Sequence, residues 1–295
     1  MAALICVIGD STLDVTVQPD GPMVPGGDRR AAITVGVGGQ GANVAVRLAR
    51  RGARVRLVTM LGRDGAGDVI RTRLVAEGVE LADLASEGSA TVVAIVGPDG
   101  DRSMYSQRVP FRGPFEDRLD SVDWLHCSAY AFRNPVEAES VVGEIQQAAV
   151  PHVSVAGGSF EDAVQAATVR AVLASLPVDV LIVSRSEADL LGSDDSPLAG
   201  LTIVTEGLAG STATGGAAIE PIAVPAASLP DQLVDTTGAG DAYAAELIRG
   251  LVEAWPPSPR QLQRVMEDAS VAGARVARVV GSLGAIPEEQ AAAAR

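Results

Sequence analysis

Short apolar runs alternate with longer amphipathic stretches along most of this chain. The runs have the length and β-branched content of buried strands. They span Leu4–Ile8, Val55–Met60, Thr91–Val96, Val122–Cys127, Val153–Val155, Val178–Val183 and Leu201–Thr205. Helical spacing predicts helices over Ala42–Arg51, Ala66–Glu77, Pro135–Ala149, Glu161–Leu176, Gly238–Ala254 and Arg260–Val280. This alternation predicts an α/β fold, a three-layer sandwich in which helices cover both faces of a mainly parallel sheet.

Two segments interrupt this alternation. Residues 12–37 carry short alternating runs with Gly/Pro turns, and residues 91–108 read as strand, "GPDGD" turn, strand. Both predict hairpin-type additions outside the main sheet, placed as a lid would be. A third hairpin is predicted around Gly215-Gly216, and the final "EEQAAAAR" is predicted to be a frayed helix. With no domain-length linker or internal repeat, residues 1–295 are expected to form a single domain.

The composition excludes several classes of protein. The net charge is −14 over 295 residues, so nucleic acid and anionic membranes are not expected partners. No apolar run reaches membrane-spanning length, and "MAALICVIGD" lacks a basic leader region, so a cytoplasmic protein is expected. Cys6 and Cys127 both lie in strand-like runs and are expected to be buried thiols.

The sequence contains no lysine. This excludes the P-loop, protein kinases and pyridoxal-phosphate enzymes, because each of these needs a specific lysine. The two histidines, His126 and His152, are too few for a histidine-rich metal site.

A literal G-x-G-x-x-G occurs at Gly36, Gly38 and Gly41. A dinucleotide fingerprint would follow the first strand directly and would have an acidic residue at the end of the second strand. Here the first strand ends at Ile8 and the second at Met60, so the spacing fails at both ends. The remaining unit is "GGQGAN", in which Gly38 and Gly39 allow close backbone approach and Asn43 offers an amide to neighbouring hydroxyls. A plain helix start explains this segment equally well.

The segment "DTTGAGD", residues 235–241, runs directly into an apolar helix. Small residues at a helix N-terminus leave backbone N–H groups open to a phosphate or a developing anion. Asp241 in the first turn is suited to removing a proton from an attacking hydroxyl. The alternative is that Asp235 or Thr237 caps the helix and Asp241 interacts with its dipole. Because capping does not require Gly-Ala-Gly, the functional interpretation is favoured.

Together, "DTTGAGD" and "GGQGANVAVRLARRG" resemble the ribokinase-like, or PfkB, family of carbohydrate and nucleoside kinases. The segments "GDSTLDV", "VTMLGRDGAGDVI", "ATVVAIVGPDGDRSMY", "VTEGLAG" and "SLGAIP" resemble further family motifs in the same order. The resemblance implies a single α/β/α domain with a small β lid from about residues 12–37 and 91–108. It also implies transfer of the γ-phosphoryl group of ATP to a hydroxyl of a carbohydrate.

The same resemblance assigns roles by position. It implies that Asp241 is the catalytic base and that the backbone of Gly238, Ala239 and Gly240 forms the anion hole with it. It implies that Asp14, Gly38, Gly39 and Asn43 bind substrate hydroxyls. Ser184, Glu187, Thr205, Gly207 and Gly210 would lie near ATP, with Glu187 organising Mg²⁺ through water. A monovalent cation such as K⁺, which some members need, would lie near Asp235 and Thr237.

Three positions depart from the family pattern. Ser184 stands where asparagine is usual, and Ser184-x-x-Glu187 also fits a capping box, an alternative explanation for Glu187. Ala156 stands where many members carry aspartate. Gln40 replaces the lysine of many ribokinases, which makes ribose itself less certain as the substrate.

The acceptor stays open between a simple carbohydrate, which we favour, and a nucleoside of the adenosine or pseudouridine type. A nucleobase calls for an aromatic or large apolar stacking surface, yet aromatic content is only 3%. Tyr105, Phe111, Phe115 and Met104 are the available candidates, and they fit a lid core equally well. A non-catalytic sugar- or nucleotide-binding protein is a second alternative. Lid hairpins in this family often pair, so a homodimer through the lid is also a hypothesis.

Overall fold

The computed structural model describes residues 2–22, 25–97, 102–132, 134–158, 160, 162–192, 197–216, 218–228, 236–278 and 283. The strands within them are β1 (Leu4–Ile8), β2 (Thr12–Pro19), β3 (Ala31–Gly38), β4 (Arg54–Gly62), β5 (Glu80–Ser86), β6 (Ala90–Val96), β7 (Arg102–Gln107), β8 (Trp124–Ser128), β9 (Val153–Ala156), β10 (Val180–Ser184), β11 (Leu201–Thr205), β12 (Ser211–Gly215) and β13 (Ala218–Val224). The helices are α1 (Gln40–Arg50), α2 (Gly65–Ala76), α3 (Pro135–Ala148), α4 (Ala163–Ser175), α5 (Arg185–Leu191), α6 (Ala239–Glu253) and α7 (Pro259–Val276).

Nine of the described strands form one large sheet with the order β13-β12-β11-β10-β9-β8-β1-β4-β5. From β11 to β5 every pairing is parallel, while β12 and β13 form an antiparallel hairpin at one edge. The seven parallel strands of the large sheet, β11 to β5 in sheet order, therefore end at a common edge, which is where open α/β sheets carry their binding sites.

Two apolar cores cover the two faces of the large sheet. One core contains residues of α1, α2, α6 and α7, such as Leu48, Leu247 and Met266. The other contains residues of α3, α4 and α5, such as Val141 and Val169. The predicted three-layer α/β/α architecture is confirmed.

The two irregular segments form a separate four-stranded sheet with the order β3-β2-β6-β7. Residues paired across neighbouring strands share a face. The row Val35, Val15, Val93 and Tyr105 therefore lies on one face. Asp14, paired with Gly36 and Val92, lies on the opposite face. We call these the outer and inner faces, and the predicted small β addition is confirmed.

The element boundaries differ from prediction by a few residues. The strands predicted at Val122 and Val178 begin at Trp124 and Val180, and the helix predicted from Ala42 begins at Gln40. Strand β5 was not predicted because its alternation is weak and acidic residues interrupt it. The hairpin at Gly215-Gly216 is present as β12 and β13.

Several predicted features lie outside the described residues, namely Asp235, Glu161, the end of the helix predicted to reach Val280, the "GPDGD" turn beyond Gly97 and the terminal "EEQAAAAR". Cys6 and Cys127 are buried free thiols, as expected. Within the described part of the chain, none of the helices has the length and apolarity needed to cross a membrane.

Candidate active site

The N-terminus of α1 lies directly against the end of β1. A Cβ atom at Gly41 would come within 2.7 Å of the Gly9 backbone, so only glycine permits this contact. Gly39 adopts φ 94° at the N-cap of α1, a left-handed conformation that glycine tolerates. The Asp10 carboxylate, which follows β1, accepts a hydrogen bond of 2.9 Å from the Gln40 backbone N–H. A side chain from β1 thus caps the helix that follows the glycine cluster.

The N-terminus of α6 meets α1 at the same edge of the large sheet. The Asn43 amide donates a hydrogen bond of 2.6 Å to Oδ2 of Asp241. Gly238 caps α6 in a left-handed conformation, with φ 77° and without a side-chain hydrogen bond. Nothing lies within 4 Å of the position that a Cβ atom would take at Gly240. The first turn of α6 therefore presents open backbone at Gly240 beside the Asp241 carboxylate, while the Ala239 N–H donates to the Thr236 carbonyl at 3.1 Å.

The protein environment of Asp241 stabilises the protonated carboxyl group more than water would. Burial raises the pKa of Asp241 to about 6, and the negative charge of Asp10 adds to the rise. The hydrogen bond from Asn43 and the positive charge of Arg47 act in the opposite direction. Arg47 lies one turn after Asn43 on α1, and the pKa of Arg47 is lowered by its own burial. A carboxylate with this pKa can accept a proton near neutral pH.

Asp14 projects from the inner face of the small sheet toward the same edge. A Cβ atom at Gly38 would collide with the Asp14 carboxylate, so the carboxylate lies directly on the glycine backbone. The Thr12 hydroxyl donates a hydrogen bond of 2.5 Å to Asp14 Oδ1. Burial raises the pKa of Asp14 to about 6, and the charge of Asp10 adds to it. Asp14 thus lies against Gly38, directly before the N-cap of α1 at Gly39.

Arg108 connects the end of the small sheet to the main body. It follows β7, and its guanidinium donates a hydrogen bond of 2.8 Å to Asp10 Oδ2. The same guanidinium lies 4.4 Å from the centre of the Tyr130 ring, a cation–π contact. Burial raises the pKa of Asp10, and Arg108 opposes that rise. Sequence reasoning missed Arg108 and gave Asp10 no role, although Asp10 lies within "GDSTLDV" at a strand end.

Gln40, which departs from the family pattern, joins three elements. Its Nε2 donates a hydrogen bond of 2.6 Å to the carbonyl of Gly157, which follows β9. Its Oε1 accepts a hydrogen bond of 2.5 Å from the hydroxyl of Ser128 at the end of β8. Neutral Gln40 can both donate and accept, so it holds α1 against two strand ends, a role that a lysine at this position could fill only as a donor.

Ser184 and Glu187 form the capping box that the sequence offered as an alternative. Glu187 Oε2 accepts from the Ser184 backbone N–H at 2.7 Å and from its hydroxyl at 2.8 Å. The Glu187 carboxylate also packs on Gly157, where a Cβ atom would collide with it. Glu187 therefore starts α5 and fills the space beside the turn after β9, where Ala156 ends the strand.

The glycine turn after β11 lies beside the start of α5. Residues Gly207–Ala209 form a single 3₁₀ turn. Gly210 adopts φ 101°, and a Cβ atom there would collide with the Val224 carbonyl of β13. Arg185 of α5 donates hydrogen bonds of 3.0 Å and 2.9 Å to Glu206. Thr205, at the end of β11, thus lies in the same neighbourhood as Ser184, its partner on β10.

A divalent metal would have to rely on groups other than a protein cluster in the described part of the chain. No group of three or more His, Cys, Asp or Glu side chains suited to a metal ion occurs among the described residues. Mg²⁺ often keeps its waters and binds through substrate phosphates with one or two carboxylates, and Glu187 is the carboxylate that the sequence assigned to it. Of the two residues predicted for a monovalent cation, Thr237 is exposed before α6 and Asp235 lies outside the described residues.

Comparison with known proteins agrees with this geometry. Residues 2–289 match the model of the pfkB family of carbohydrate kinases. The chain belongs to this family. A curated relative, the fructokinase of Escherichia coli, is 26% identical and covers 98% of both chains. The prediction of a kinase, a phosphotransferase with an alcohol acceptor, is confirmed, and a non-catalytic binding protein is not favoured.

Two solved structures illustrate the shared fold of this pfkB-family kinase. The Arabidopsis thaliana ribokinase, complexed with ribose and ATP, has a TM-score of 0.79 at 20% identity and covers 100% of this chain and 99% of its own. The adenosine kinase of Sinorhizobium meliloti has a TM-score of 0.74 at 20% identity and covers 99% of each chain. At these identities the likeness establishes the fold; the acceptor is a separate question.

The ion pair between Arg108 and Asp10 predicts that Arg108→Gln loosens the small sheet. The variant loses a charge-assisted contact at a partly solvent-screened position, so amides of β6 and β7 should exchange about three- to tenfold faster. Hydrogen–deuterium exchange with mass spectrometry measures this, with α6 as the internal reference. Arg112→Gln, at an exposed position shortly after Arg108, is the control. Equal exchange in the two variants would contradict the assigned role.

Proposed function

We propose that this pfkB-family kinase transfers the γ-phosphoryl group of ATP to a hydroxyl of a small carbohydrate, with Asp241 as general base. The observation that carries this proposal is the position of Asp241. Its half-buried carboxylate lies in the first turn of α6, beside open backbone at Gly240, and accepts a hydrogen bond from Asn43 of the glycine cluster. A base and an anion-binding helix terminus lie together where a hydroxyl and a phosphoryl group would have to meet.

In the proposed reaction the acceptor hydroxyl oxygen forms a bond to the γ-phosphorus of ATP. The bond between that phosphorus and the bridging β–γ oxygen breaks, and ADP leaves with the electron pair. The hydroxyl proton passes to Asp241. The backbone N–H groups of Gly238, Gly240 and Asp241 are proposed to face the charge that develops on the transferred group, and the dipole of α6 adds to this stabilisation. The Ala239 N–H already donates to the Thr236 carbonyl at 3.1 Å, so its part in the anion hole would require that bond to be given up.

Acceptor binding is proposed for Asp14, Gly38, Gly39 and Asn43. Asp14 can accept hydrogen bonds from two hydroxyls, and it lies on Gly38 at the mouth of the glycine cluster. Asn43 donates to Asp241 through Nδ2, which leaves its carbonyl oxygen to accept from an acceptor hydroxyl. That oxygen is buried and makes no hydrogen bond within the described protein. A buried acceptor of this kind costs stability unless a ligand satisfies it.

ATP is proposed to lie over the ends of β10 and β11, near Ser184, Glu187, Thr205, Gly207 and Gly210. The positive-φ glycines allow the backbone to approach a nucleotide closely. Mg²⁺, when bound with the nucleotide, would neutralise phosphate charge. Glu187 Oε2 is engaged by Ser184, so any contribution of Glu187 to the metal is proposed to pass through water. Asp235 and Thr237 remain the proposed site of a monovalent cation such as K⁺.

A carbohydrate is favoured over a nucleoside by the positions of the aromatic side chains. Tyr105 lies on the outer face of the small sheet, away from Asp14. Phe111 and Phe115 are buried in the core and stack edge to face on each other, with ring centres 5.6 Å apart. Met104, the fourth candidate, lies on the inner face of the small sheet. Tyr105 therefore lies on the wrong face to stack on a base beside the glycine cluster, and Phe115 is fully buried. Phe111 lines a cavity beside Asp10, but that cavity has a volume of only about 20 Å³, too small for a base.

The acceptor preference can be measured with a coupled assay of ADP formation over fructose, ribose, hexoses, keto-sugar acids, adenosine and pseudouridine. We expect a carbohydrate, with fructose as the first to test, to give kcat/KM at least about tenfold above either nucleoside. A nucleoside as the best acceptor would instead establish the nucleoside-kinase alternative.

Replacement of Asp241 by asparagine tests the base. Asp241→Asn keeps the contact with Asn43, so acceptor binding should change little, while kcat should fall by about 10²–10⁴. Because the carboxylate is active when ionised, wild-type kcat/KM should fall as the pH drops through about 6, the pKa of Asp241. Asp68→Asn on α2, an exposed first-turn acid, is the control. Unchanged turnover in Asp241→Asn would remove the base assignment.

A homodimer through the lid is the proposed quaternary structure. The outer face of the small sheet carries no charged side chain among its described residues, and Ile33, Val35 and Tyr105 are 63%, 58% and 64% exposed. A contiguous apolar face of this kind is typical of an interface. Since the chain carries a net charge of −14, two copies repel each other over most of their surfaces and can approach best through this uncharged face.

Val35→Asp should convert the proposed dimer to a monomer, because it buries a carboxylate in the interface. Sedimentation velocity or light scattering measures the change. Thr34→Asp makes the same change of charge at the next residue, on the inner face, and should leave the dimer intact. A monomeric wild type, or a dimeric Val35→Asp protein, would exclude pairing through this face.

A further inference from the structure

A second concave site lies along α1, α6 and α7, and its lining runs from Ala242, the residue after Asp241, to the last turn of α1. It is a groove with a volume of about 410 Å³. Its described lining includes Arg47, Arg50 and Arg51 of α1, Ala242 and Ala245 of α6, and Arg275 of α7. The small alanine side chains of α6 leave the space between α1 and α7 open. The volume is in the range of pockets that hold small organic molecules.

The charge balance of the groove is opposite to that of the chain. Four arginines line it, while Glu246 and Asp268 are the acidic side chains in its described lining. Glu246 is shared between Arg51 at 3.0 Å and Arg249 at 2.7 Å. Burial acts to raise the pKa of Glu246, but hydrogen bonds from both arginines outweigh it and lower the pKa. The positive charges therefore exceed the negative ones in this concavity, although the chain as a whole is −14.

Neighbouring contacts hold part of this arginine set in place. Arg50 donates hydrogen bonds of 2.7 Å and 2.8 Å to the Glu77 carboxylate and of 3.0 Å to the Leu283 carbonyl. Arg51 donates hydrogen bonds of 3.0 Å and 3.2 Å to Glu246. Side chains fixed in this way lose little further conformational freedom when a ligand binds.

Helix dipoles offer a simpler explanation for some of these arginines. Arg47 and Arg50 lie in the last turn of α1, and Arg275 lies in the last turn of α7, where cations are favoured. A dipole effect acts on each helix separately and requires no cavity. Here, arginines from two different helices converge on one groove whose wall on α7 also includes Val271 and Val276. Arginine guanidinium groups next to apolar side chains suit a ligand that has an anionic group attached to a short carbon chain.

We propose that the groove lined by Arg47, Arg50, Arg51 and Arg275 binds a small organic phosphate ester at a site distinct from the proposed active site. The guanidinium groups would hold the phosphate, and Val271 and Val276 would contact its carbon body. This proposal does not depend on the identity of the phosphoryl acceptor, because binding to the groove involves no turnover.

The test uses the full-length protein and glycerol 3-phosphate as the probe, with calorimetry at constant ionic strength. Arg275→Glu should weaken binding at least about tenfold, since it replaces a charge-assisted contact with repulsion. Arg112→Glu makes the same change of net charge beside Phe111, which belongs to the core on the other face of the large sheet, and should change binding less than about twofold. Arg275 is chosen over Arg47 because Arg47 also acts on Asp241.

Three outcomes overturn the proposal. The first is the absence of saturable binding at probe concentrations up to about 10 mM. The second is equal weakening by Arg275→Glu and Arg112→Glu, which would reflect net charge alone. The third is unchanged binding in Arg275→Glu, which would place the phosphate elsewhere. Circular dichroism and melting temperatures of both variants establish that each is folded before affinities are compared.

Discussion

The site depends on one close contact, the approach of the α1 backbone at Gly41 to the β1 backbone at Gly9. A side chain at either position would separate the two segments. With the segments in contact, Asp10 reaches the first N–H groups of α1. The helix is then fixed both in position and in rotation. Asn43, one turn further on, can therefore reach Asp241, which is 198 residues away along the chain.

The same contact places negative charges close together in a poorly solvated region. Burial raises the pKa of Asp10, Asp14 and Asp241, and each of Asp14 and Asp241 is raised further by Asp10. Since the folded-state pKa values lie above the unfolded ones, ionising these groups costs stability as the pH rises, from about 4 through about 6 for Asp14 and Asp241. The protein retains these carboxylates at that cost, as is typical of sites selected for chemistry.

Much of the fold followed from the local pattern, whereas the site's contacts did not. Buried strands and helix starts depend on residues close in sequence. The alternation therefore indicated the α/β architecture, and the Ser-x-x-Glu spacing offered the capping box at Ser184 and Glu187 as an alternative to a nucleotide-site role. The distance of the glycines from the first strand, which ends at Ile8, and the lack of an acidic residue at the end of the second strand, Met60, were enough to reject a dinucleotide turn. Arg108 and Asp10 are 98 residues apart in the sequence. A local sequence pattern does not indicate which distant charged side chains form an ion pair. Family resemblance indicated Asn43 and Asp241 without indicating that they bind each other.

Because the sequence contains no lysine, the ion pairs that hold distant segments together are formed by arginine guanidinium groups. Arg50 holds Glu77 through two nitrogen atoms, and Arg51 and Arg249 both hold Glu246. A planar guanidinium fixes direction as well as distance, which an ammonium group does not. Arg108 uses this property twice, since it donates to Asp10 with its edge and covers Tyr130 with its face. One side chain thus orients the small sheet relative to the cap of α1, so the position of the small sheet and the position of Asn43 are set by the same carboxylate.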